Sequence, residues 1–173
     1  TQKGVGIGTG GNVVGGAYGR TETTKVGDDL SATKATQVTA GVNADGQIAI
    51  GGQRSKEFVY GTKPDGTPLS KSSAVNGGVT IDPNGGFGAQ GGYTRTGPGG
   101  TQTSAGASFS NDGKGNSSAS VNAGVTSKGG HGVSVSVSSG HTVTADAPEM
   151  VAEGVWEVRY VVSDTDSVGA GGT

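Results

Sequence analysis

The feature that most constrains this fold is a series of short alternating segments separated by glycine-containing turns. Residues 38–43, 75–80 and 121–126 share the pattern Val-polar-small-Gly-Val-polar, and each precedes a turn and a second alternating run. The turns contain Asp-Gly, Asn-Gly or Gly-Gly, which supply the positive φ angles of tight β-hairpins. The three segments begin 37 and 46 residues apart, which predicts an irregular hairpin repeat with insertions in its loops.

The composition favours strands throughout the chain. It has 37 glycines and 21 valines but only 2 leucines, and the branched Cβ of valine suits a strand. Short connections between strands favour antiparallel pairing, so we predict an all-β, up-and-down meander of about ten strands. Because so few large apolar residues cannot bury a thick core, stability must come from closure, stacking or neighbours, and we expect the sheet to close into a β-barrel.

The chain is predicted to form one hairpin-repeat domain over residues 1–163, with the Gly-rich residues 164–173 as a flexible linker. It starts at Thr1 rather than Met, and we interpret it as part of a larger protein. The expected partners are therefore other domains of the parent protein or identical subunits.

The charge balance bears on the other partners. The net charge of −2, from 12 basic and 14 acidic residues, argues against a nucleic-acid binder. Without a polybasic stretch, the sequence also does not favour a membrane surface. No cysteine is present and no motif indicates a cofactor or metal, so none is predicted.

Strand alternation indicates two unlike faces. Between residues 119 and 125, alanine and valine alternate with serine, asparagine and glycine, and valine alternates with serine over residues 133–138. Each strand thus has one modestly apolar face and one polar face of small residues, which contacts water or lines a wet lumen. Stems of pore-forming toxins share this alternation, so a pore or translocation role is one possibility.

The densest apolar segment is the last predicted strand, residues 155–162. One face of this strand carries Trp156, Val158, Tyr160 and Val162, which we expect to form a packing seam or an interface. The preceding residues, 146–153, are the only segment that favours a helical turn.

An enzymatic alternative depends on His141. The carboxylates of Asp146, Glu149 and Glu153 follow it closely, and a histidine with carboxylates can perform acid–base chemistry in a hydrolase. No signature such as H-E-x-x-H accompanies these residues, so no catalytic residue is assigned.

Two further site hypotheses remain open. A closed barrel could hold a small ligand in its lumen, lined by Tyr18, Tyr60 and Tyr93. Asp164 and Asp166 could pair for a cation, although such a pair in a loop is more often a solvated turn.

Residues 86–96 and 104–110 resemble the Gly/Ser/Thr-rich hairpin regions of large bacterial secreted effectors, such as polymorphic toxins and injection-system cargo proteins. The resemblance covers roughly residues 4–145 and implies a bacterial, secreted, modular protein whose chemistry lies in other domains. We therefore expect a non-enzymatic module that acts in delivery, display or assembly.

Overall fold

A computed structural model of the chain describes residues 1–10, 13–27, 30–64, 66, 68–145, 149–152 and 155–172. These residues form twelve β-strands and no helix. The strands are β1 Gln2–Gly10, β2 Val13–Lys25, β3 Ser31–Asn43, β4 Ile48–Thr62, β5 Pro68–Ile81, β6 Phe87–Thr96, β7 Gln102–Asn111, β8 Ser117–Thr126, β9 Gly132–Ala145, β10 Glu149–Ala152, β11 Val155–Glu157 and β12 Tyr160–Gly172.

Ten of these strands form one antiparallel sheet in the order β1-β2-β3-β4-β5-β6-β7-β8-β9-β12. Each strand pairs with its sequence neighbour, except that β12 pairs with β9 after the small β10–β11 hairpin. The predicted antiparallel meander of ten strands is confirmed.

The sheet is open, so the barrel closure expected from the sequence is not supported. In the described part of the chain, β1 pairs only with β2 and β12 pairs only with β9. Nothing brings the two edge strands together, and each keeps one row of unpaired backbone groups.

The hairpin turns repeat more regularly than the sequence pattern predicts. Five-residue turns begin at residues 82, 97, 112 and 127, so one strand plus one turn occupies 15 residues. In each turn the first backbone N–H donates to the fifth carbonyl, and the fourth residue is a glycine with φ between 81° and 102°. The turn at residues 43–47 has the same bonds, with Gly46 at φ 79°. The three segments spaced 37 and 46 residues apart lie in β3, β5 and β8, and each leads into one of these five-residue turns.

Three expectations for the C-terminal region are corrected. The helical turn expected over residues 146–153 is replaced at Glu149–Ala152 by strand β10. The single strand expected over residues 155–162 is divided, because Val155–Glu157 pairs with β10 whereas β12 starts at Tyr160. Residues 164–172, expected as a linker, belong to β12, which is paired with β9 along its whole length.

No side chain in the described residues forms a buried core, because the large sheet is a single layer. The turns at residues 43–47, 82–86 and 112–116 lie at one end of the sheet, here called the upper end. The turns at residues 97–101 and 127–131 lie at the lower end, as does the backbone hydrogen bond between Val26 and Leu30. Both faces of the large sheet are therefore open over its described residues.

Candidate functional site

The strand register sorts the residues of the sheet onto two faces. Directly paired residues share a face, as Val137, Val121 and Ala107 do on neighbouring strands. Among the described residues of the sheet, every exposed large hydrophobic side chain except Val161 lies on this one face. We call it the apolar face; its members are Val5, Val14, Tyr18, Val38, Val42, Ile48, Ile50, Phe58, Val75, Val79, Ile81, Phe87, Tyr93, Phe109, Val121, Val125, Val133, Val135, Val137, Tyr160, Val162 and Val168.

The opposite face, the polar face, consists mainly of glycine, serine, threonine, asparagine and glutamine. Serine hydroxyls are hydrogen bonded across its strands, at 2.8 Å between Ser108 and Ser120 and at 2.7 Å between Ser138 and Ser167. Side chains of this size leave the backbone close to whatever occupies this face.

The sheet curves around its polar face. A trough of about 670 Å³ is lined by one residue from each of six consecutive strands, together with their neighbours. The six residues that share this row are Gly6, Ala17, Thr39, Gly51, Gly78 and Gln90. A trough that extends from β1 to β6, together with the lower exposure of many residues on this face, indicates that the polar face is concave and the apolar face convex.

Side-chain exposure is inverted relative to a sheet of a water-soluble protein. In β6, the apolar-face residues Phe87, Ala89 and Tyr93 are exposed, whereas Gly92 and Thr94 on the polar face are half-buried. A soluble antiparallel sheet packs its apolar face on a core and exposes the polar one. Here the curvature instead turns the apolar face outward.

Apolar residues form an oblique band across the apolar face. In β4 the band is centred near Ile50. The residues paired in succession across the sheet from Ile50 end at Ser139 of β9. In β9 the band is centred near Val135, four residues closer to the lower end. The band therefore shifts by four residues over the five strand intervals from β4 to β9.

Basic side chains collect on the apolar face below this band. Cross-strand rows at the lower end place seven cations on β1–β6, namely Lys3, Arg20, Lys34, Arg54, Lys56, Lys71 and Arg95. The single acid in these rows is Glu22, which forms an ion pair with Arg20. The near-neutral composition conceals this cluster, because the residues are widely separated in sequence and alternate with uncharged ones.

The upper-end turns are tied together by polar side chains. The Asn84 backbone N–H donates to the Asp82 carboxylate at 2.8 Å, and the Gln47 amide donates to it at 3.1 Å from the neighbouring turn. The Lys114 backbone N–H donates in the same way to Asp112 at 2.7 Å. These bonds favour the charged carboxylates and lower both pKa values, mainly through the backbone donors.

Of the residues of the enzymatic alternative, the structure describes His141 and the backbone of Glu149, which belong to different sheets. His141 Nδ1 lies 2.6 Å from Asp164 Oδ1 on β12, and both side chains are largely exposed. Asp146 and Glu153 lie outside the described residues, and Glu149 belongs to the separate β10–β11 hairpin. His141 lines none of the depressions described here, so this pair is an exposed cross-strand contact.

Two of the three tyrosines proposed to line a lumen are not on the concave side. Tyr18 and Tyr93 lie on the apolar face. Tyr60 is half-buried near the irregular pairing of β4 with β5, and its hydroxyl has no hydrogen-bond partner among the described residues.

The four residues of the predicted seam fall in three successive segments of the chain. Tyr160 and Val162 are exposed on the apolar face of β12, and Val158 lies in the connection between β11 and β12. The backbone of Trp156 pairs with Met150 in the small hairpin.

Comparison with protein families, curated proteins and solved structures finds no match to this chain. The described residues contain no helix long and apolar enough to cross a membrane. They also contain no group of three or more His, Cys, Asp or Glu side chains placed to hold a metal.

Proposed function

We propose that this chain is a non-enzymatic module of a larger, secreted, toxin-like bacterial protein, and that it forms the wall of a membrane pore or translocation channel. The observation that carries this proposal is the inverted sheet, with a convex apolar face and a concave face of small polar residues. In a bilayer the convex face would contact lipid chains, and the concave face would line a water-filled passage.

The strand lengths support a membrane-spanning role. Strands β6, β7 and β8 each contain 10 residues, and a transmembrane β-strand needs about 9–11. Five-residue turns keep the four ladders from β5–β6 to β8–β9 intact up to the turn, as required where water cannot satisfy backbone groups.

Closure of the sheet in the membrane is part of the proposal. The ten strands are all antiparallel to their neighbours, so β1 and β12 also run in opposite directions. An even number of antiparallel strands can close without a parallel seam, and closure would satisfy both free edges. Closure within one chain is the simplest arrangement, with identical subunits or other domains of the parent as further partners.

Curvature favours lipid over a second sheet as the cover for the apolar face. Two packed sheets interdigitate across a layer about 10 Å thick, and two convex surfaces meet in this way only along a narrow line. A fluid bilayer follows a convex surface, so it can cover the whole band. A soluble stack for display or assembly is therefore the less favourable use of this face.

Adjacent residues on opposite faces of β8 provide the test. Val121 lies on the apolar face and is 58% exposed. Val121→Lys should therefore not disrupt the folded sheet when the chain is dissolved in detergent. A lysine in the middle of the bilayer costs about 2–4 kcal/mol, so dye release from vesicles should fall about 30-fold or more. The matched control is Asn122→Lys on the concave face, which should keep dye release and shift the ion selectivity of the channel towards anions.

Equal dye release by Val121→Lys and the unmodified chain would contradict this proposal. So would the absence of release by the unmodified chain from both neutral and anionic vesicles.

A further inference from the structure

We propose that a depression at the lower end of the apolar face binds the phosphate headgroup of an anionic lipid. This inference rests on the proposed membrane function and names the lipid class that the sheet selects. The depression has a volume of about 320 Å³, and its lining includes Lys56, Lys71, Arg95 and Ser73.

The cations of this depression are available to a ligand. Lys56, Lys71 and Arg95 are exposed, and none of the three forms an ion pair with another described residue. The Lys71 ammonium lies 5.5 Å from the centre of the Phe58 ring, which positions it without neutralising its charge. Glu57 also contributes to the lining, but its position in β4 alternates onto the opposite face from Lys56 and Ser73.

The strand register sets a spacing that suits a phosphate. Ser73 pairs directly with Lys56 on one side and with Arg95 on the other. Two strand spacings separate the backbones of the two cations by about 10 Å, with a short hydroxyl side chain between them. A phosphate above Ser73 could accept a hydrogen bond from its hydroxyl while both basic side chains approach from the flanks.

The surroundings favour a lipid over a free phosphate or a nucleic acid. One row above Ser73, Val75 begins the apolar band and is 55% exposed, with Tyr93 as its neighbour. A headgroup over Ser73 would therefore place its acyl chains along the band, so a single amphiphile matches both the charge and the apolar surface. A nucleic acid would leave those apolar side chains exposed to water.

The test compares binding of the full chain to vesicles of pure phosphatidylcholine with binding to vesicles in which one lipid in three is phosphatidylglycerol. Each basic residue near such a surface contributes about 1 kcal/mol, so Lys56→Gln with Arg95→Gln should weaken binding to the anionic vesicles about 30-fold. The control, Lys25→Gln with Lys128→Gln, makes the same charge change at the lower end but away from the apolar face, and should change binding less than about threefold.

Failure of this inference is distinguishable from failure of the proposed function. Equal losses in the two double variants would overturn the headgroup site, whatever the dye release. Unchanged dye release per bound chain, with weaker binding of the first variant alone, would support both proposals. Strong binding to anionic vesicles that depends on Lys56 and Arg95, but without any dye release, would keep the site and reject the pore.

Two further measurements identify the ligand source. Preferential binding of a single-stranded oligonucleotide, lost in the first variant, with no preference for anionic vesicles would assign the depression to a nucleic acid. Binding of inorganic phosphate alone, again without a vesicle preference, would assign it to the free anion. Either result overturns the lipid proposal.

Discussion

At the scale of single residues, the turn glycines adopt positive φ angles that would strain the backbone of any other residue. Gly85 has φ 92° and nothing within 4 Å of the position that a Cβ would occupy. Any effect of adding a methyl group there therefore comes from the left-handed backbone conformation and not from a clash.

Gly85→Ala is expected to lower the free energy of unfolding by about 1–2 kcal/mol. Gly99 provides the control, because it lies in an equivalent turn, has open space and does not have positive φ. Gly99→Ala should be neutral or slightly stabilising, since it restricts the unfolded chain. Urea unfolding in detergent micelles measures both variants, and equal midpoints would contradict the strain at Gly85.

Asp82 and Asp112 make the upper-end turns sensitive to acid. Both pKa values are lowered in the folded chain, so the carboxylates stabilise it at pH values above the unfolded value of about 4 and lose this contribution as pH falls through the folded pKa. The urea midpoint of unfolding should therefore decrease as the pH falls from about 5 to about 2, a range that spans the reference pKa of an aspartate. Asp82→Asn with Asp112→Asn should flatten this dependence, and an unchanged profile would show that other carboxylates cause it.

At the scale of the strands, alternation determines what could be predicted from sequence. The valine–serine alternation over residues 133–138 was sufficient to predict a strand with two unlike faces, because that property depends only on period-two geometry. The basic cluster was missed because Lys56, Ser73 and Arg95 meet only through the register of three strands, which single-strand periodicity does not contain.

The C-terminal strand shows a second limit of sequence patterns. The small residues at 169–172 have the composition of a linker, but in the sheet they pair with β9 from Ser136 to Val133. Small side chains suit both a linker and a close-packed polar face, so composition alone could not separate the two. The break at residues 158–159 likewise follows from the β10–β11 pairing rather than from any local breaker.

A prediction at the scale of the strands concerns pairing between the two edge strands, β1 and β12. Val5 and Val168 lie on the apolar face of β1 and β12. In membranes, cysteine at Val5 or Thr9 combined in turn with cysteine at Val168, Ala170 or Gly172 should form a disulfide within one chain for one of these pairs. The pair that reacts reports the stagger of the closing seam, since a disulfide needs Cα atoms within about 7 Å.

Disulfides that form only between copies would contradict closure within a single chain. The same pairs in detergent-free buffer, before addition of vesicles, provide the control for closure in solution.

At the scale of the whole molecule, a single layer without a core has to obtain its stability from its environment. Hydrophobic burial is the main favourable contribution to folding, and the described residues supply no buried hydrophobic side chain. The apolar face must therefore gain most of its burial from another phase or partner. This requirement explains why ten regular strands are compatible with so little leucine and phenylalanine.

The oblique apolar band also determines the dimensions of a closed form. A shift of four residues over five strand intervals corresponds to strands inclined by about 30° to the normal of the band, since residues rise about 3.4 Å and strands lie about 4.8 Å apart. Ten strands closed at this inclination enclose a cylinder with a backbone radius of about 9 Å. Its inner wall would consist mostly of glycine and serine, so the passage would stay open to water and small solutes.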